Sequence, residues 1–220
     1  MNIVFIGSAG VLSEIPLRIL LQHGVTIQAI ALLESTKNQL ESRPVSVADI
    51  KVGDDESLSS SASLLEIAAQ YQVPVVELPD QLEESVEVFK SLPTDLILMS
   101  CFPRRLPASI FTLPSKGCFN LHPSLLPAYR GPSPVHWQCE HKVSESGVTV
   151  HQVNQAFDEG AIAVQKSIKT RHCINKVELA YKLALMGGEI FLELIQLIEN
   201  DGLKLIPQSE AQASYYGFPD

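Results

Sequence analysis

The amino-acid sequence predicts an α/β fold with a doubly wound, mostly parallel sheet and an antiparallel strand pair near its C-terminal part. Apolar runs at residues 3–6 and 25–33 are short and continuous, as expected of strands buried on both faces. A glycine-containing turn at residues 7–10 joins the first run to an amphipathic segment, so the chain opens as strand, turn and helix. Residues 147–153 alternate in polarity, and after a short turn residues 161–168 form another strand of mixed pattern; these two strands are the predicted antiparallel pair. This architecture is Rossmann-like.

The remaining elements follow from the spacing of apolar residues. In the first helix, at residues 13–23, Leu17, Leu20 and Leu21 share one face, and Gly24 ends the helix. Further helices are predicted at residues 64–70, 81–90, 135–140 and 176–199, with one helical turn at 110–113. Further strands are predicted at residues 73–76, 96–99 and 118–121. Right-handed crossovers would make the early strands parallel.

Two segments interrupt this alternation. Residues 34–63 are polar, rich in serine and acidic on balance, so they are predicted to form a long loop. The turn at residues 7–10 could hold a phosphate at a helix N-terminus, but its Gly-x-Gly-x-x-Gly spacing is incomplete. A tight turn without a ligand is therefore the favoured interpretation.

Composition argues against several classes of protein. The chain has 16 Lys and Arg against 25 Asp and Glu, and its formal net charge is −9, which disfavours a broad grip on nucleic acid. No tract approaches the roughly eighteen apolar residues of a membrane span. The start has no basic region before its apolar run and does not resemble a signal peptide. We therefore expect a cytoplasmic protein with a small-molecule ligand.

The cysteines give no sign of a metal or redox site. Cys101, Cys118, Cys139 and Cys173 are widely spaced, without a Cys-x-x-Cys pair. We expect free, mostly buried thiols. Cys118 lies near the candidate site described next, but its apolar neighbours favour core packing over a nucleophilic role.

The most informative stretch is residues 117–131, which read GCFNLHPSLLPAYRG. Asn120 and His122 are two residues apart at the end of a predicted strand, so both side chains should lie on one face. Prolines in and after this stretch fix φ at several points and stiffen the loop. An amide and an imidazole on a rigid loop at a strand end suggest a binding or catalytic site.

Two other segments are candidate ligand contacts. Residues 100–107 follow a predicted buried strand, and ligands of open α/β sheets bind outside the carboxyl ends of strands. Arg104 could contact a ligand there or simply be solvated, and spacing alone does not separate the two. Asp158 begins an Asp-x-Gly turn between two strands, which by itself is more often a turn than a site.

Together these residues resemble the signature of the folate-dependent formyltransferases. The sequence reads Asn120-x-His122-x-Ser-Leu-Leu-Pro, then Tyr-Arg-Gly, and later Asp158-x-Gly. The likeness extends from the IVFIG start to the final helix. Residues 1–207 are accordingly interpreted as a catalytic domain, and residues 208–220 as a tail or the start of a linker.

The resemblance implies that 10-formyltetrahydrofolate donates its formyl group to a primary amine, without a metal. Asn120, His122 and Asp158 match the catalytic residues of the family. Asn120 would donate to the oxyanion of a tetrahedral intermediate, and His122 would move protons. Asp158 would orient the imidazole, raise its basicity or relay a proton through water. Folate contacts are expected at Phe102, Arg104, Leu106, Ser124, Leu125, Leu126, Pro127, Asn154, Gln155 and Phe157.

The resemblance does not identify the amine. Members that act on tRNA carry a basic insertion after the second strand and a further C-terminal domain, whereas here that loop is acidic and the sequence stops where a linker would begin. We therefore expect a small amine or amino sugar rather than methionyl-tRNA, and leave a homodimer open. Two alternatives remain: a hydrolase that releases formate with the same three residues, and a non-catalytic folate-binding protein.

Overall fold

The computed structural model describes residues 1–41, 63–171 and 175–219. Most of the polar loop predicted from the sequence, residues 42–62, lies outside the described residues, as does Cys173. None of the helices in the described ranges is long and apolar enough to cross a membrane.

A single mixed sheet organises the described residues. Its seven strands are β1 (Ile3–Gly7), β2 (Ile27–Leu33), β3 (Val75–Leu78), β4 (Leu96–Ser100), β5 (Cys118–His122), β6 (Glu145–Gln152) and β7 (Ile162–Lys169). They lie in the order β3-β2-β1-β4-β5-β6-β7. Strands β1 to β5 pair in parallel, whereas β6 is antiparallel to both β5 and β7. The predicted fold class, including the antiparallel strands near the C-terminal part, is confirmed.

The helices cover both faces of this sheet. They are α1 (Val11–Gln22), α2 (Glu34–Glu41), α3 (Leu64–Tyr71), α4 (Val86–Ser91), α5 (Ala108–Phe111), α6 (Pro134–Glu140) and α7 (Lys176–Glu199), with 3-10 turns at Leu82–Ser85 and Glu210–Gln212. The prediction of one helix at residues 81–90 is wrong in detail, because a 3-10 turn precedes α4 there.

Helix α2 is a second departure from the prediction, since residues 34–41 were expected in the polar loop. The helix continues directly from β2, and its Thr36 is buried. Lys37 pairs with Glu77 of β3. These contacts with distant residues stabilise a helix that its polar composition does not predict.

The core has two parts because successive strand residues face opposite sides of the sheet. Ile3 and Phe5 belong to the cluster beneath α1 and α7, where the rings of Phe5 and Phe191 meet edge to face at 6.4 Å. Val4 and Ile6 belong to the opposite cluster. Burying one such side chain contributes roughly 1.5–3 kcal/mol.

The strand order leaves a crevice at the carboxyl edge of the sheet. The order reverses after β1, so the chain leaves β1 and β4 towards opposite sides. Such a reversal is where open α/β sheets bind ligands. Strand β5 brings its last residues to the same edge, and β6 places His151 directly opposite Asn120.

Candidate active site

A cavity of about 540 Å³ opens at the carboxyl ends of β4 and β5. Asn120, His122 and Asp158 all line it, although Asp158 lies far from the other two in the sequence. His151 of β6 also lines it. The cavity therefore brings together the three residues that the sequence singled out, and it adds a second imidazole.

His122 is buried in the wall of this cavity. Its Nε2 atom lies 2.8 Å from the carbonyl oxygen of Tyr129, and because a carbonyl only accepts, Nε2 carries a hydrogen. Its Nδ1 atom lies 3.4 Å from Oδ1 of Asp158. Burial lowers the pKa of His122, while Asp158 and the Tyr129 carbonyl oppose that shift. Burial thus favours the neutral imidazole, in which Nδ1 carries no hydrogen and can accept a proton.

Asp158 is held as an anion beside this imidazole. Burial would raise its pKa, but the imidazoles of His122 and His151 and the N–H of Gly131 outweigh burial and lower the pKa to about 2. The Gly131 N–H donates to Oδ2 at 2.9 Å. Oδ1 faces His122, so the carboxylate can stabilise a positive charge there.

The turn that carries Asp158 approaches β6 closely. Asp158 itself has φ 58°, a left-handed conformation that Asp tolerates better than most residues. Two residues later, a Cβ on Gly160 would lie 1.6 Å from the carbonyl oxygen of Gln152. Glycine is therefore required at residue 160 for the turn to bring Asp158 against the two histidines.

His151 orients the amide of Asn120. Its Nδ1 lies 3.1 Å from the carbonyl oxygen of Gln152 and so carries the hydrogen. Its Nε2 then accepts from Nδ2 of Asn120 at 3.2 Å. One amide hydrogen of Asn120 is held in this way, and the other remains for a ligand in the cavity.

The expected folate contacts divide into two groups. Phe102, Arg104, Leu106, Asn154 and Phe157 line the cavity. Among the described residues that line it, Ser124, Leu125, Leu126, Pro127 and Gln155 do not appear.

The loop at residues 124–127 is instead tied to strand β6. The hydroxyl of Thr149 donates to the carbonyl of Ser124 at 2.7 Å, and the N–H of Leu126 donates to that hydroxyl at 3.1 Å. Any contact of these four residues with a folate stays a prediction.

The structure also adds residues to the cavity that the sequence did not mark. Besides His151, the side chains of Tyr215 and Phe218 lie at its mouth. His151 enters the site through the antiparallel register that sets it opposite Asn120. Tyr215 and Phe218 carry no sequence signal of this kind, because they lie outside the helices and strands.

Cysteine and metal chemistry find little support among the described residues. Burial raises the pKa of Cys118, whose sulfur lies 3.7 Å from that of Met99. Cys101 is exposed, which corrects the expectation of mostly buried thiols, and Cys139 is partly buried. Within the described ranges, no group of three or more His, Cys, Asp and Glu side chains could hold a metal ion.

Fold and cavity together define an α/β protein with an amide donor, a buried imidazole and a carboxylate at the carboxyl edge of its sheet. Such a set suits reactions in which an oxyanion forms and a proton moves. The chain belongs to the formyl transferase family, which matches residues 2–195.

Similar proteins include methionyl-tRNA formyltransferases. That of Kosmotoga olearia is 34% identical over 152 residues, which cover 68% of this chain and 49% of the relative. That of Thermotoga maritima is 27% identical over 217 residues, which cover 98% of this chain and 64% of the relative. The chain thus spans about half the length of the relatives it matches.

Solved structures with the same fold have other acceptors in their names. The sugar 3N-formyltransferase WlaRD, solved with dTDP and 5-N-formyl-THF, has a TM-score of 0.69 at 20% identity, over 99% of this chain and 70% of that one. Glycinamide ribonucleotide transformylase 1 from Symbiobacterium toebii has a TM-score of 0.70 at 18% identity, over 95% and 94%. At these identities the likeness is one of fold.

Proposed function

We propose that this protein transfers the formyl group of 10-formyltetrahydrofolate to a primary amine. The observation that carries the proposal is the approach of His122 Nδ1 to Asp158 Oδ1, 3.4 Å, in a cavity that Asn120 also lines. Membership of the formyl transferase family supports the choice of a formyl group.

The residues suit the proton transfers of this reaction. The amine nitrogen attacks the formyl carbon, a C–N bond forms, and the carbonyl electron pair moves to oxygen. His122 Nδ1 takes a proton from the attacking nitrogen, and Asp158 stabilises the imidazolium that results. When the bond to the folate nitrogen breaks, His122 returns that proton to the leaving nitrogen.

Asn120 stabilises the oxyanion between these two steps. Its amide is fixed by His151, so its free hydrogen need not reorganise as negative charge develops on the oxygen. A donor held in this way typically contributes on the order of 10²–10³ in rate.

The folate would occupy the part of the cavity between the segment that follows β4 and the turn before β7. Phe102 and Leu106 contribute apolar surface there, and Asn154 and Phe157 face them from the other segment. Arg104 carries a positive charge at the same cavity and meets Asp80 only at 3.8 Å, so it is suited to an acidic part of the ligand.

For the acceptor, we propose a small amine. The formal charge of −9 disfavours a polyanionic substrate. Methionyl-tRNA is the second candidate, because the relatives with assigned names act on it according to those names. A cytoplasmic location and a homodimer remain predictions.

The test combines the purified protein with 10-formyltetrahydrofolate under three conditions: no amine, a panel of amino sugars and glycinamide ribonucleotide, and methionyl-tRNA. We expect a formylated small amine by mass spectrometry and little formate without an amine. Rapid formate release without an amine would identify a hydrolase instead. Folate binding without turnover under any condition would identify a binding protein, and product with methionyl-tRNA alone would favour the second candidate.

Two variants check that the product arises in this cavity. Asn120→Ala and His122→Ala should each lose formyl transfer while still binding the folate. If either variant keeps the wild-type rate, the catalytic roles proposed here are wrong.

A further inference from the structure

The segment that follows α7 is hydrogen-bonded to the loop that follows β5. Ser214 accepts from the backbone N–H of Arg130 at 2.9 Å and donates to Pro127 at 3.2 Å. Tyr216 donates to the carbonyl of Arg130 at 3.0 Å. The predicted boundary at residue 207 falls within this segment, and the next side chain, that of Gln208, reaches the turn that carries Asp158.

Gln208 uses its whole amide in these contacts. Its Nε2 donates to the carbonyl oxygens of Asp158 at 2.7 Å and Gly160 at 2.8 Å. Its Oε1 accepts from Nε of Arg130 at 3.2 Å and from the terminal nitrogen at 2.9 Å. Two donors and two acceptor sites are thus satisfied, which fixes the orientation of the side chain.

Arg130 anchors Gln208 from the other side. Its guanidinium is buried and also pairs with Glu210, with N···O distances of 3.2 and 2.8 Å. The geometry is the paired, two-point contact that Arg makes with carboxylates. Because Arg130 is held so firmly, the Gln208 amide is presented to the turn at a defined position.

Hydrogen bonds therefore hold the turn at two points, beside the contact of Arg130 Nη1 with Oε1 of Glu159 at 3.7 Å. The Gly131 N–H holds the carboxylate of Asp158, and Gln208 holds the backbone on either side of Glu159. A left-handed Asp persists only where surrounding contacts stabilise it. Without Gln208, the Asp158 carboxylate would keep its hydrogen bond from Gly131, but the carbonyl oxygens of Asp158 and Gly160 would lose theirs from Gln208.

We propose that Gln208 is a positioning residue that keeps the Asp158 carboxylate against His122 during catalysis. This inference rests on the proposed formyl transfer. Asp158 is the group that Gln208 positions, and Gln208 itself contacts neither substrate nor reacting atoms.

Two substitutions separate positioning from simple anchoring. Gln208→Met keeps the length of the side chain and removes all four hydrogen bonds. Gln208→Glu keeps an acceptor for Arg130 but replaces the donors to the turn with a second carboxylate oxygen. The matched control is Gln212→Met in the same segment, since the Gln212 side chain is exposed and no hydrogen bond of it is found in the described chain.

The kinetic result should differ between these variants. For Gln208→Met, we expect kcat to fall about 10- to 100-fold, while KM for 10-formyltetrahydrofolate changes less than about threefold. Gln208→Glu keeps the contact with Arg130 but sets an anionic oxygen against two carbonyl oxygens, so its kcat should stay reduced. Gln212→Met should match the wild type. Recovery of kcat in Gln208→Glu would overturn the proposal, as would an unchanged kcat in Gln208→Met.

A second readout does not depend on turnover. The pKa of His122 responds to its burial and to three neighbours, Asp158, His151 and the carbonyl of Tyr129. The Asp158 carboxylate raises this pKa. If Asp158 retreats in Gln208→Met, the pKa of His122 measured by NMR on labelled histidine should fall below its wild-type value. If the wild type shows no formyl transfer but Gln208→Met shows this pKa shift, the proposed function is wrong and the positioning role of Gln208 stands. An unchanged pKa would reject the positioning role.

Discussion

Two regions of the cavity differ in how the chain builds them. The floor consists of Asn120, His122 and His151, which lie on neighbouring strands. The two histidines are only 4% and 3% exposed and bond to backbone carbonyls. The rim consists of Phe157, Tyr215 and Phe218, which lie outside regular structure and are 48%, 62% and 79% exposed.

The difference indicates a division of tasks. The groups proposed to donate hydrogen bonds and move protons lie on the sheet, where burial and hydrogen bonds to the backbone fix their positions. Groups on the rim offer apolar surface that a ligand can cover. In the proposed reaction, the floor would carry out formyl transfer and the rim would contribute to the choice of ligand.

The largest effect on kcat should come from replacing Asp158, whose carboxylate contacts His122 on the cavity floor. In Asp158→Asn, we expect kcat to fall on the order of 10³-fold, because a neutral amide cannot stabilise the imidazolium that forms at His122. Folate affinity should change less than about threefold in equilibrium binding. Glu193→Gln, an exposed carboxylate on α7, is the control. A kcat within tenfold of the wild type would remove Asp158 from the mechanism.

The pair of His122 and Asp158 should make the stability of the folded protein sensitive to acid. Burial lowers the pKa of His122 below its ordinary 6.5, so the folded protein gives up a proton that the unfolded chain binds. Asp158 has a pKa of about 2 against an ordinary 3.8, so it too resists protonation when folded. Both contributions are complete above about pH 6.5 and are lost on acidification, that of Asp158 between about pH 4 and 2.

Urea unfolding at a series of pH values measures this effect. The free energy of unfolding should fall below pH 6.5, with about 2 kcal/mol of the loss due to Asp158. In Asp158→Asn, the decrease between pH 4 and 2 should be smaller by about that amount. A decrease of the same size in that variant would assign the acid sensitivity to other groups.

The sequence predicts the floor only in part. Asn120 and His122 share a strand, so local periodicity finds them, and Asp158 is found through the family signature. His151 depends on the antiparallel register that sets it opposite Asn120, and a single histidine in an alternating strand does not reveal that register. Arg130 lies within the stretch at residues 117–131 that the sequence singled out. Its partner Gln208 is 78 residues away, so local patterns do not connect the two.

The same distinction applies to the fold. The buried strands and the long helix α7 are predicted well because their apolar patterns record burial on one or both faces. Helix α2 is missed because it is stabilised by Thr36 and Lys37 in contact with other elements and not by its own composition. Features held by contacts between distant residues are the ones that the sequence leaves out.

A smaller effect should follow from changing the second imidazole of the floor. In His151→Leu, Asn120 loses its acceptor, and a hydrogen bond of about 1 kcal/mol predicts a fall in kcat of about five- to tenfold. His151→Gln should recover part of this loss, because its amide oxygen can accept from Asn120. Equal rates in the two variants would mean that the orientation of Asn120 does not depend on this bond.

The smallest effect should come from changing the rim, and it should appear in KM and not in kcat. Phe218 is 79% exposed at the mouth of the cavity. If a ligand covers part of its ring, Phe218→Ala loses about 1 kcal/mol of binding, or roughly a fivefold increase in KM. KM for both folate and amine should be measured, with kcat expected within about twofold of the wild type.

Leu113→Ala, at an exposed apolar residue away from the cavity, is the control. A fall in kcat at constant KM would mean that the rim takes part in the chemistry, and the division between floor and rim would then fail.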